Sequence, residues 1–593
     1  MTASFSSRPH RRFAYWPIVF ASLLGLALCI ASQPVTSQAQ RVPVSSSSDD
    51  TSGPAGVSNG HILLVLPFDN LTDATAPTAA STPAPTQTNT TGKQAAAKNA
   101  DSSSLDWIRE AAPEILNARF ASAGFQPLTR EDRLYALDHL GLPETFQPSR
   151  ATALRIAQTL DADYILIGSY SVNGTTLTVK SRIVDVAKLR LSDEITQSGP
   201  LAQLIPLLNS LAWQLTRKLD PNFGVAEETF RAAGSKLRLD AFEQYIRGLT
   251  EHDTNERLRH LKKATDLSPD FTAAWLATGK LEFANQQYEQ AAVSFGKVTR
   301  GDSSELEAGF YRGLSLLYSG NYPRAEESFG AVARVLPLPE VVNNEAVAAS
   351  RRGHDATAIF RQAEAADPTD PDYHFNLAVS LHRHGNNAEA VTELAQCLKL
   401  RASDSEAKAL SDSWKAPTSA QSDGTQSEPL ERIKRTYNGA AFRQAGLMLD
   451  QVEQAHLATL PAAERATRLS KTAREKLDRG LLLEAEREFQ AALAADDHSA
   501  NAHAGLAEVR ERAGDIDAAR KEAHASLDRQ PNLEAYLVLA RLDLAANHLP
   551  EARSETAEAL KLDGNNRAAR DLRKTIDARI DSSAKPAVTG KPE

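Results

Sequence analysis

The chain has 593 residues, of which 42% are hydrophobic and 24% charged, and its formal net charge is −9. A chain of this length exceeds what one hydrophobic core can support, so several folding units are expected. The negative charge excludes whole-protein attraction to nucleic acid, whose affinity for proteins comes mainly from Lys and Arg on phosphates.

The first 39 residues have the composition of an export signal. Three arginines between positions 8 and 12 precede an apolar run at 13–31. Ser37-Gln38-Ala39 offers a small-x-small cleavage site, and Cys29-Ile30-Ala31 is a second option. The same run could also just span a bilayer as an uncleaved anchor. We therefore expect an exported protein, or one attached to a membrane through residues 13–31.

The two cysteines, Cys29 and Cys397, give little scope for a disulfide. Removal of a signal peptide would leave Cys397 alone, so no intramolecular disulfide could form. Cys397 lies where the repeats described below favour a small residue, which predicts a buried thiol rather than a nucleophile.

Residues 40–60 read as a disordered linker, and residues 61–220 read as a small mixed α/β domain. The domain opens with "HILLVLPFDNLT", an apolar strand that ends at Pro67. A Thr/Ala/Pro-rich stretch at 72–104 is expected to be a disordered insertion. The following pattern predicts the order β-α-β-α-α-β-β-β-α, with Asn173-Gly174 as a hairpin turn.

The rest of the chain is predicted to be an array of helix pairs with a period of 34 residues. The offsets from Gly279 to Gly313 and from Phe295 to Phe329 are both 34, which is typical of tetratricopeptide repeats. Small residues allow the helices to approach closely, and the aromatic residues fill the space between units. The expected organisation is listed by residue number: 237–404, first block of about five repeats; 405–428, linker; 429–465, degenerate helical hairpin; 466–580, second block of about three repeats with a capping helix; 581–593, disordered tail.

Two motifs of the first domain lie in its opening strand and in the later strand and hairpin. Their positions are Val65, Leu66, Pro67, Phe68, Asn70, Ala162, Asp163, Tyr164, Gly168 and Asp185. Through these positions, about residues 62–219 resemble the TolB amino-terminal-like domains, which are related to the CsgG and FlgO envelope proteins. The resemblance implies a bacterial envelope protein, which we expect in the periplasm, or attached to the inner membrane through residues 13–31 and facing the periplasm. The insertion after Asn70 and the sequence "LRLSDEI" after the hairpin depart from the family pattern, and no β-propeller follows, so a role specific to TolB does not transfer.

The sequence contains few residues or motifs that could support catalysis. His382 and His384 lack a partner at metal-ligand spacing, so both are expected to be solvated surface residues. Asp161 and Asp163 are better explained as turn and capping residues than as paired catalytic carboxylates. No phosphate-binding glycine loop, zinc-protease motif or nucleophile elbow occurs. We therefore predict no enzyme, no cofactor and no metal.

Two functions remain in view. The preferred one is a protein-interaction scaffold that binds a protein or peptide in the concave groove of the repeats. The predicted groove positions are Leu276, Lys280, Phe283, Phe310, Leu314, Leu317, Tyr318, Phe375, Val379 and His382. The alternative is an envelope sensor, in which a small molecule binds beyond the strand ends, near Phe68-Asp69-Asn70 and Gly168-Ser169, and the repeats relay its presence.

Overall fold

The computed structural model describes residues 60–72, 105–144, 148–234, 236–298, 304–415, 428–437 and 439–584. The expected signal segment, the linker before residue 60, the insertion after Thr72 and residues 585–593 of the expected tail lie outside these ranges. Residues 581–584, which were also assigned to the tail, instead continue the last helix. None of the helices within them is long and apolar enough to cross a membrane.

The chain divides into two compact units, which we name by their place in the sequence. The middle unit comprises, among the described residues, Leu316–Tyr437. The two-part unit comprises the described residues before and after it, up to Ser315 and from residue 439 onward.

The two-part unit begins with a mixed sheet, as its alternating and apolar runs predict. The strands are β1 (Ile62–Val65), β2 (Asp69–Asn70), β3 (Gln126–Pro127), β4 (Tyr164–Asn173), β5 (Thr176–Asp185), β6 (Arg190–Leu191) and β7 (Ile195–Pro200). The order is β3-β1-β4-β5-β6, with β2 on β4 and β7 on β5. β1 runs parallel to β3 and β4, whereas β4 and β5 form an antiparallel hairpin. Gly174, at φ +61°, makes the predicted turn.

Helices cover both faces of this sheet, because alternate residues of β1 and β4 point to opposite sides. The helices are α1 (Ile108–Ala123), α2 (Arg130–His139), α3 (Arg150–Thr159) and α4 (Leu204–Leu219). Leu63 and Val65 pack into one core with residues of α1 and α4, while Leu64 and Leu66 pack into a second core with α2 and α3. A small mixed α/β domain is therefore confirmed.

Helix pairs make up the remainder, which confirms the predicted solenoid class. In the two-part unit these are α5 (Glu227–Ala232), α6 (Leu239–Thr250), α7 (Thr254–Leu267), α8 (Thr272–Ala284), α9 (Tyr288–Phe295), α17 (Gly439–Ala458), α18 (Ala462–Asp478), α19 (Leu482–Ala495), α20 (Ala500–Ala513), α21 (Ile516–Leu527), α22 (Leu533–Ala545), α23 (Leu549–Leu562) and α24 (Arg567–Ala584). α10 (Glu305–Tyr318) contains the boundary, and the middle unit holds α11 (Tyr322–Ala333), α12 (Pro339–Arg351), α13 (Thr357–Ala366), α14 (Pro371–Arg383), α15 (Asn387–Leu400) and α16 (Ser405–Lys415).

The periodic glycines and aromatic residues meet as expected. A Cβ added to Gly279 would lie 2.8 Å from the ring of Phe295, so only glycine allows α8 and α9 to approach this closely. This contact explains why small and aromatic residues recur at fixed positions.

The interpretation of residues 405–428 as a linker was wrong for its first half. Residues 405–415 form helix α16, in which Ala407 and Ser411 are buried one turn apart. The polar and Ser-rich composition hides this narrow buried stripe, which covers the end of the preceding helix pair.

The interpretation of residues 429–465 as a helical hairpin was also wrong. Residues 428–437 have no regular secondary structure, and a single helix, α17, follows them. The main-chain groups of residues 429, 431, 432 and 434 bond to side chains of α12 and α14, which replaces hydrogen bonds that a helix would supply.

Candidate functional site

Residues 428–437, here called the bound segment, lie on the first helices of two consecutive helix pairs of the middle unit, α12 and α14. The segment has the sequence EPLERIKRTY. We call the surface that it contacts on α12, α14 and the start of α16 the groove. Solenoids of helix pairs present such an inner surface to extended ligands.

Three asparagines of the groove hold the main chain of the bound segment. The amide N–H of Arg432 donates to Oδ1 of Asn376 at 2.6 Å, and the carbonyl oxygen of Arg432 accepts from Nδ2 of Asn376 at 2.8 Å. Nδ2 of Asn343 reaches the same carbonyl at 3.1 Å. Asn344 repeats the two-way contact on Lys434, with distances of 2.9 and 2.7 Å. We call Asn343, Asn344 and Asn376 the asparagine clamp.

The spacing of these contacts defines an extended conformation. In an extended chain the N–H and C=O groups of alternate residues point to the same side, so Arg432 and Lys434 can both face the clamp. All three clamp side chains are fully buried, and Nδ2 of Asn376 also donates to Oδ1 of Asn343 at 2.8 Å. Buried amides require such partners, because an unpaired polar group away from water is costly.

The side chain of Arg432 occupies an acidic pocket with an aromatic floor. Its guanidinium makes a bidentate contact with Asp404, at 2.6 and 2.9 Å, and lies 3.6 Å from the ring centroid of Phe375. Asp372 and Glu406 each contact it at 3.1 Å. The hydrogen bonds from Arg432 lower the pKa of Asp404. The planar guanidinium of arginine can contact a carboxylate with two nitrogens while it lies over an aromatic ring, and the ammonium of lysine cannot.

Lys434 occupies a neighbouring acidic pocket. Its ammonium contacts Asp370 at 2.6 Å and Asp372 at 2.8 Å, and it lies 4.9 Å from the ring centroid of Tyr373. Burial would raise the pKa of Asp372, but hydrogen bonds from Lys434 and Arg401 outweigh it and hold that pKa at about 2. The carboxylate therefore stays charged throughout the physiological pH range.

Glu431 enters a pocket of opposite charge. Its side chain is 1% exposed and pairs with Arg383 and, at 3.5 Å, with Arg351. Ser350 donates to the same carboxylate, and Arg383 also donates to the carbonyl of Pro429 at 2.8 Å. The pattern acidic–basic–any–basic of residues 431–434 is thus matched pocket by pocket.

The repeat register explains why these groove residues come together. Asn344 lies nine residues before Gly353, and Asn376 lies nine residues before Gly385; both glycines end a helix at φ +82°. Arg351 and Arg383 each lie two residues before the same glycines. Successive repeats therefore place an asparagine and an arginine side by side on neighbouring helices.

The asparagine clamp was not among the predicted groove positions, although the sequence holds a signal for it. An asparagine at equivalent positions of two consecutive repeats, on a helix face otherwise filled by apolar residues, indicates a buried amide that needs a partner. The predicted groove positions were mainly aromatic and aliphatic instead.

The ten predicted groove residues fall into three groups. Phe375 and Tyr318 contact the bound segment, through Arg432 and through Arg435, whose guanidinium lies 5.5 Å from the Tyr318 ring centroid. Phe310, Leu314, Leu317 and Val379 are buried, and Leu276 and Phe283 pack against the cluster of Ala291, Phe295 and Ala308. Lys280 forms ion pairs with Glu131 and Glu307, and His382 stacks on Trp414.

The expectation of solvated histidines at 382 and 384 was wrong for His382. Its ring lies parallel to that of Trp414 with 3.9 Å between centroids, because α16 folds over the end of α14. His384 is more exposed, and its Nδ1 bonds to the carbonyl of Ser380.

The other candidate positions serve the fold. Cys397 is fully buried, as predicted, and burial together with Asp404 raises its pKa to about 11. Asp163 accepts from the main-chain N–H of Ile62 at 2.8 Å and so fixes the start of β1. Among the described residues, Asp496, Asp497 and His498 could together hold a metal ion; this turn is largely exposed and carries no further sign of a site.

The strand ends where a sensor would bind are filled by the chain itself. Phe68 is fully buried against Gly168, where an added Cβ would lie 2.4 Å from its ring. The Asn70 side chain donates to Asp106 at 2.8 Å and accepts from Thr72. This geometry does not favour the sensor hypothesis.

Comparison with known proteins bears on the helical part. Residues 344–405 and 471–534 match the family model of the tetratricopeptide repeat, so both spans consist of such repeats. The first span contains Asn344, Asn376, Arg351 and Arg383. No curated protein matches the chain significantly.

Several solved structures are similar to parts of the chain. MamA is 17% identical, over 25% of this chain and 90% of MamA, with a TM-score of 0.24. YrrB, described as a TPR protein with an unusual peptide-binding site, is 14% identical, over 34% of this chain and 99% of YrrB, with a TM-score of 0.26. The LpoB C-terminal domain from Salmonella enterica is 19% identical, over 25% of this chain and 87% of that domain, with a TM-score of 0.16.

Proposed function

We propose that the chain is a non-enzymatic interaction scaffold whose groove binds proteins through an extended peptide segment. The observation that carries this proposal is the asparagine clamp, which grips the main chain of residues 432 and 434 from two consecutive repeats. Main-chain hydrogen bonds supply affinity for any extended segment, and the charged pockets beside them select its side chains.

The groove has the energetic character of a recognition site. Arg432 and Glu431 are held by charge-assisted contacts in half-buried or buried pockets, where such contacts are stronger than on an open surface. A ligand without the matching charges would remove a cation from Asp372 and from Asp404 and leave the two carboxylates to share Arg401. The groove therefore disfavours ligands that lack these charges, as well as favouring ligands that carry them.

The test uses a labelled synthetic peptide of sequence EPLERIKRTY and a groove-open variant. In this variant Glu431→Ala, Arg432→Ala and Lys434→Ala weaken the chain's own segment. We expect saturable binding by fluorescence anisotropy, and at least a tenfold loss of affinity when Asn344→Ala and Asn376→Ala are added. Circular dichroism establishes that each variant retains its helices.

The matched control is Thr436→Ala in the chain, a substitution at an exposed position of the same segment. Absence of saturable binding to the groove-open variant would refute the proposed function. Binding that is unchanged by loss of the two asparagines would show that the peptide binds elsewhere.

We further propose that the scaffold works in the bacterial periplasm, or at the inner membrane facing it, with a TolB-like domain before the repeats. The arginines before the apolar run at 13–31 and the site at 37–39 support export, and the positions from Val65 to Asp185 support the TolB-like assignment. Cell fractionation of the full chain and of a chain that starts after Ala39 tests this. The full chain should reach the envelope and the shortened one should not; retention of both in the cytoplasm would refute it.

A further inference from the structure

We infer that residues 428–437 act as a built-in ligand of the groove, and that the external ligand is an extended peptide with the same pattern, Glu-Arg-x-Lys. This inference rests on the proposed function and deepens it. The structure places the chain's own segment in every pocket of the groove, so an external peptide must displace it.

The bound segment makes more specific contacts with the groove than a linker that merely crosses the surface would make. Both polar main-chain groups of Arg432 and of Lys434 are bonded by the clamp, and three charged side chains in a row of four meet opposite charges. Ile433, the unmatched position of the four, is only partly buried. A linker crossing a surface by chance would not present its polar groups in this register.

The pockets specify the ligand in sequence terms. The first requires a carboxylate, because Arg351 and Arg383 converge on it. The second favours arginine over lysine, because Asp404 is contacted by both terminal nitrogens. The fourth accepts a lysine between Asp370 and Asp372.

Connection to the chain makes the built-in ligand a strong competitor. Twelve residues separate Lys415 from Glu428, and α17 begins two residues after Tyr437. Short connections give effective concentrations on the order of 1 mM. A peptide that binds the open groove with a Kd of about 10 μM should therefore bind the wild-type chain roughly 100-fold more weakly.

The experiment compares the labelled peptide EPLERIKRTY on the full-length wild-type chain, on the groove-open variant and on the Thr436→Ala control. We expect tight binding to the groove-open variant, and binding about 100-fold weaker to the other two. Equal affinity for all three would overturn the built-in ligand while leaving the proposed function intact. Failure of the peptide to bind even the groove-open variant would remove both.

Peptide variants test the pattern on the groove-open chain. Replacement of the peptide's Glu431, Arg432 or Lys434 by alanine should each weaken binding tenfold or more, whereas alanine at Ile433 should change it less than threefold. Arg432→Lys should weaken binding, because lysine cannot make the bidentate contact. Equal losses at all four positions, or no loss at any, would overturn the pattern.

The bound segment could also come from a second copy of the chain, and this case can be distinguished by experiment. If the segment of one molecule filled the groove of another, wild-type protein would become a dimer with rising concentration, and the groove-open variant would not. A wild-type chain that occupies its groove only as such a dimer would overturn occupation within one molecule.

Discussion

At the scale of single residues, the choice of asparagine decides what the groove can hold. Asparagine presents a donor and an acceptor together, so Asn376 can satisfy both the N–H and the C=O of Arg432. An aspartate would lose the donor and turn a carboxylate towards a carbonyl oxygen. Alanine would leave the N–H of Arg432 without the partner that replaces water, and would leave its C=O with Asn343 alone.

Asn376→Ala should release the bound segment. The loss of buried hydrogen bonds costs about 1–3 kcal/mol, so the open population should rise about 5- to 150-fold. Trypsin reports this directly, since the segment contains Arg432, Lys434 and Arg435 and cleavage follows the open population. Asn387→Ala, exposed at the start of α15, is the control and should cleave at the wild-type rate. A wild-type rate for Asn376→Ala would contradict the clamp.

His374 gives the middle unit a dependence on pH. Its Nδ1 bonds to Glu393 at 2.7 Å and its Nε2 to the carbonyl of Pro368 at 3.0 Å, so both nitrogens face acceptors and the charged ring is favoured. The hydrogen bond with Glu393 outweighs burial and raises the pKa of His374. Glu364 also faces it, at 4.0 Å. The stabilisation is fully present below about pH 6.5, the unfolded pKa, and is lost as the pH rises through the folded pKa.

His374→Gln should therefore lower the Tm of the chain more at pH 5.5 than at pH 9. The exposed His354→Gln is the control and should show no such difference. Thermal unfolding followed by circular dichroism at both pH values measures it. A Tm difference that is equal at the two values would contradict a charged His374.

At the scale of elements, close contacts between helices set the repeat geometry. A Cβ on Gly505 of α20 would lie 2.1 Å from the ring of Phe489 on α19. The sequence made this part of the fold predictable, because small and aromatic residues recur with the period of the repeat. It did not make α16 or the bound segment predictable, since short polar stretches lack the periodicity on which such predictions rest.

Gly505→Ala should destabilise the second block by about 1–3 kcal/mol, the usual cost of overpacking a core. Gly446→Ala is the matched control, since it lies inside α17 with no neighbouring atom within 4 Å of the added Cβ. It should be neutral or stabilising by up to about 1 kcal/mol, because alanine is the better helix former. Urea unfolding measures both. Equal effects of the two substitutions would argue against the close approach of α19 and α20.

At the scale of the whole molecule, the two-part unit joins segments far apart in sequence. The Glu486 carboxylate on α19 is fully buried, accepts from the N–H of Ala226 and the hydroxyl of Thr229, and pairs with Arg510 at 2.7 Å. These contacts attach α5, which follows the α/β domain, to the second block. No local sequence pattern predicts the contact between Ala226 and Glu486, because about 260 residues separate them. The apolar pattern of each segment is also complete without the other.

Glu486→Ala should uncouple the α/β domain from the second block. Removing one partner of a buried ion pair costs about 3–5 kcal/mol. Trp213 donates at 2.9 Å to the carbonyl of Val225, which lies two residues before α5, and can contribute a fluorescence signal. We expect one urea transition in the wild-type two-part unit and two in the variant. Glu475→Ala, exposed on α18, should behave as wild type; one unchanged transition in Glu486→Ala would contradict the coupling.

Hydrogen exchange of the amides of Arg432 and Lys434 reports directly on whether the asparagine clamp holds the bound segment. Both N–H groups donate to the asparagine clamp, so they should exchange slowly in the wild-type chain although their segment has no secondary structure. Excess peptide EPLERIKRTY, or loss of Asn344 and Asn376, should make them exchange at the rate of an unfolded chain. Fast exchange of both amides in the untreated wild-type protein would contradict the account.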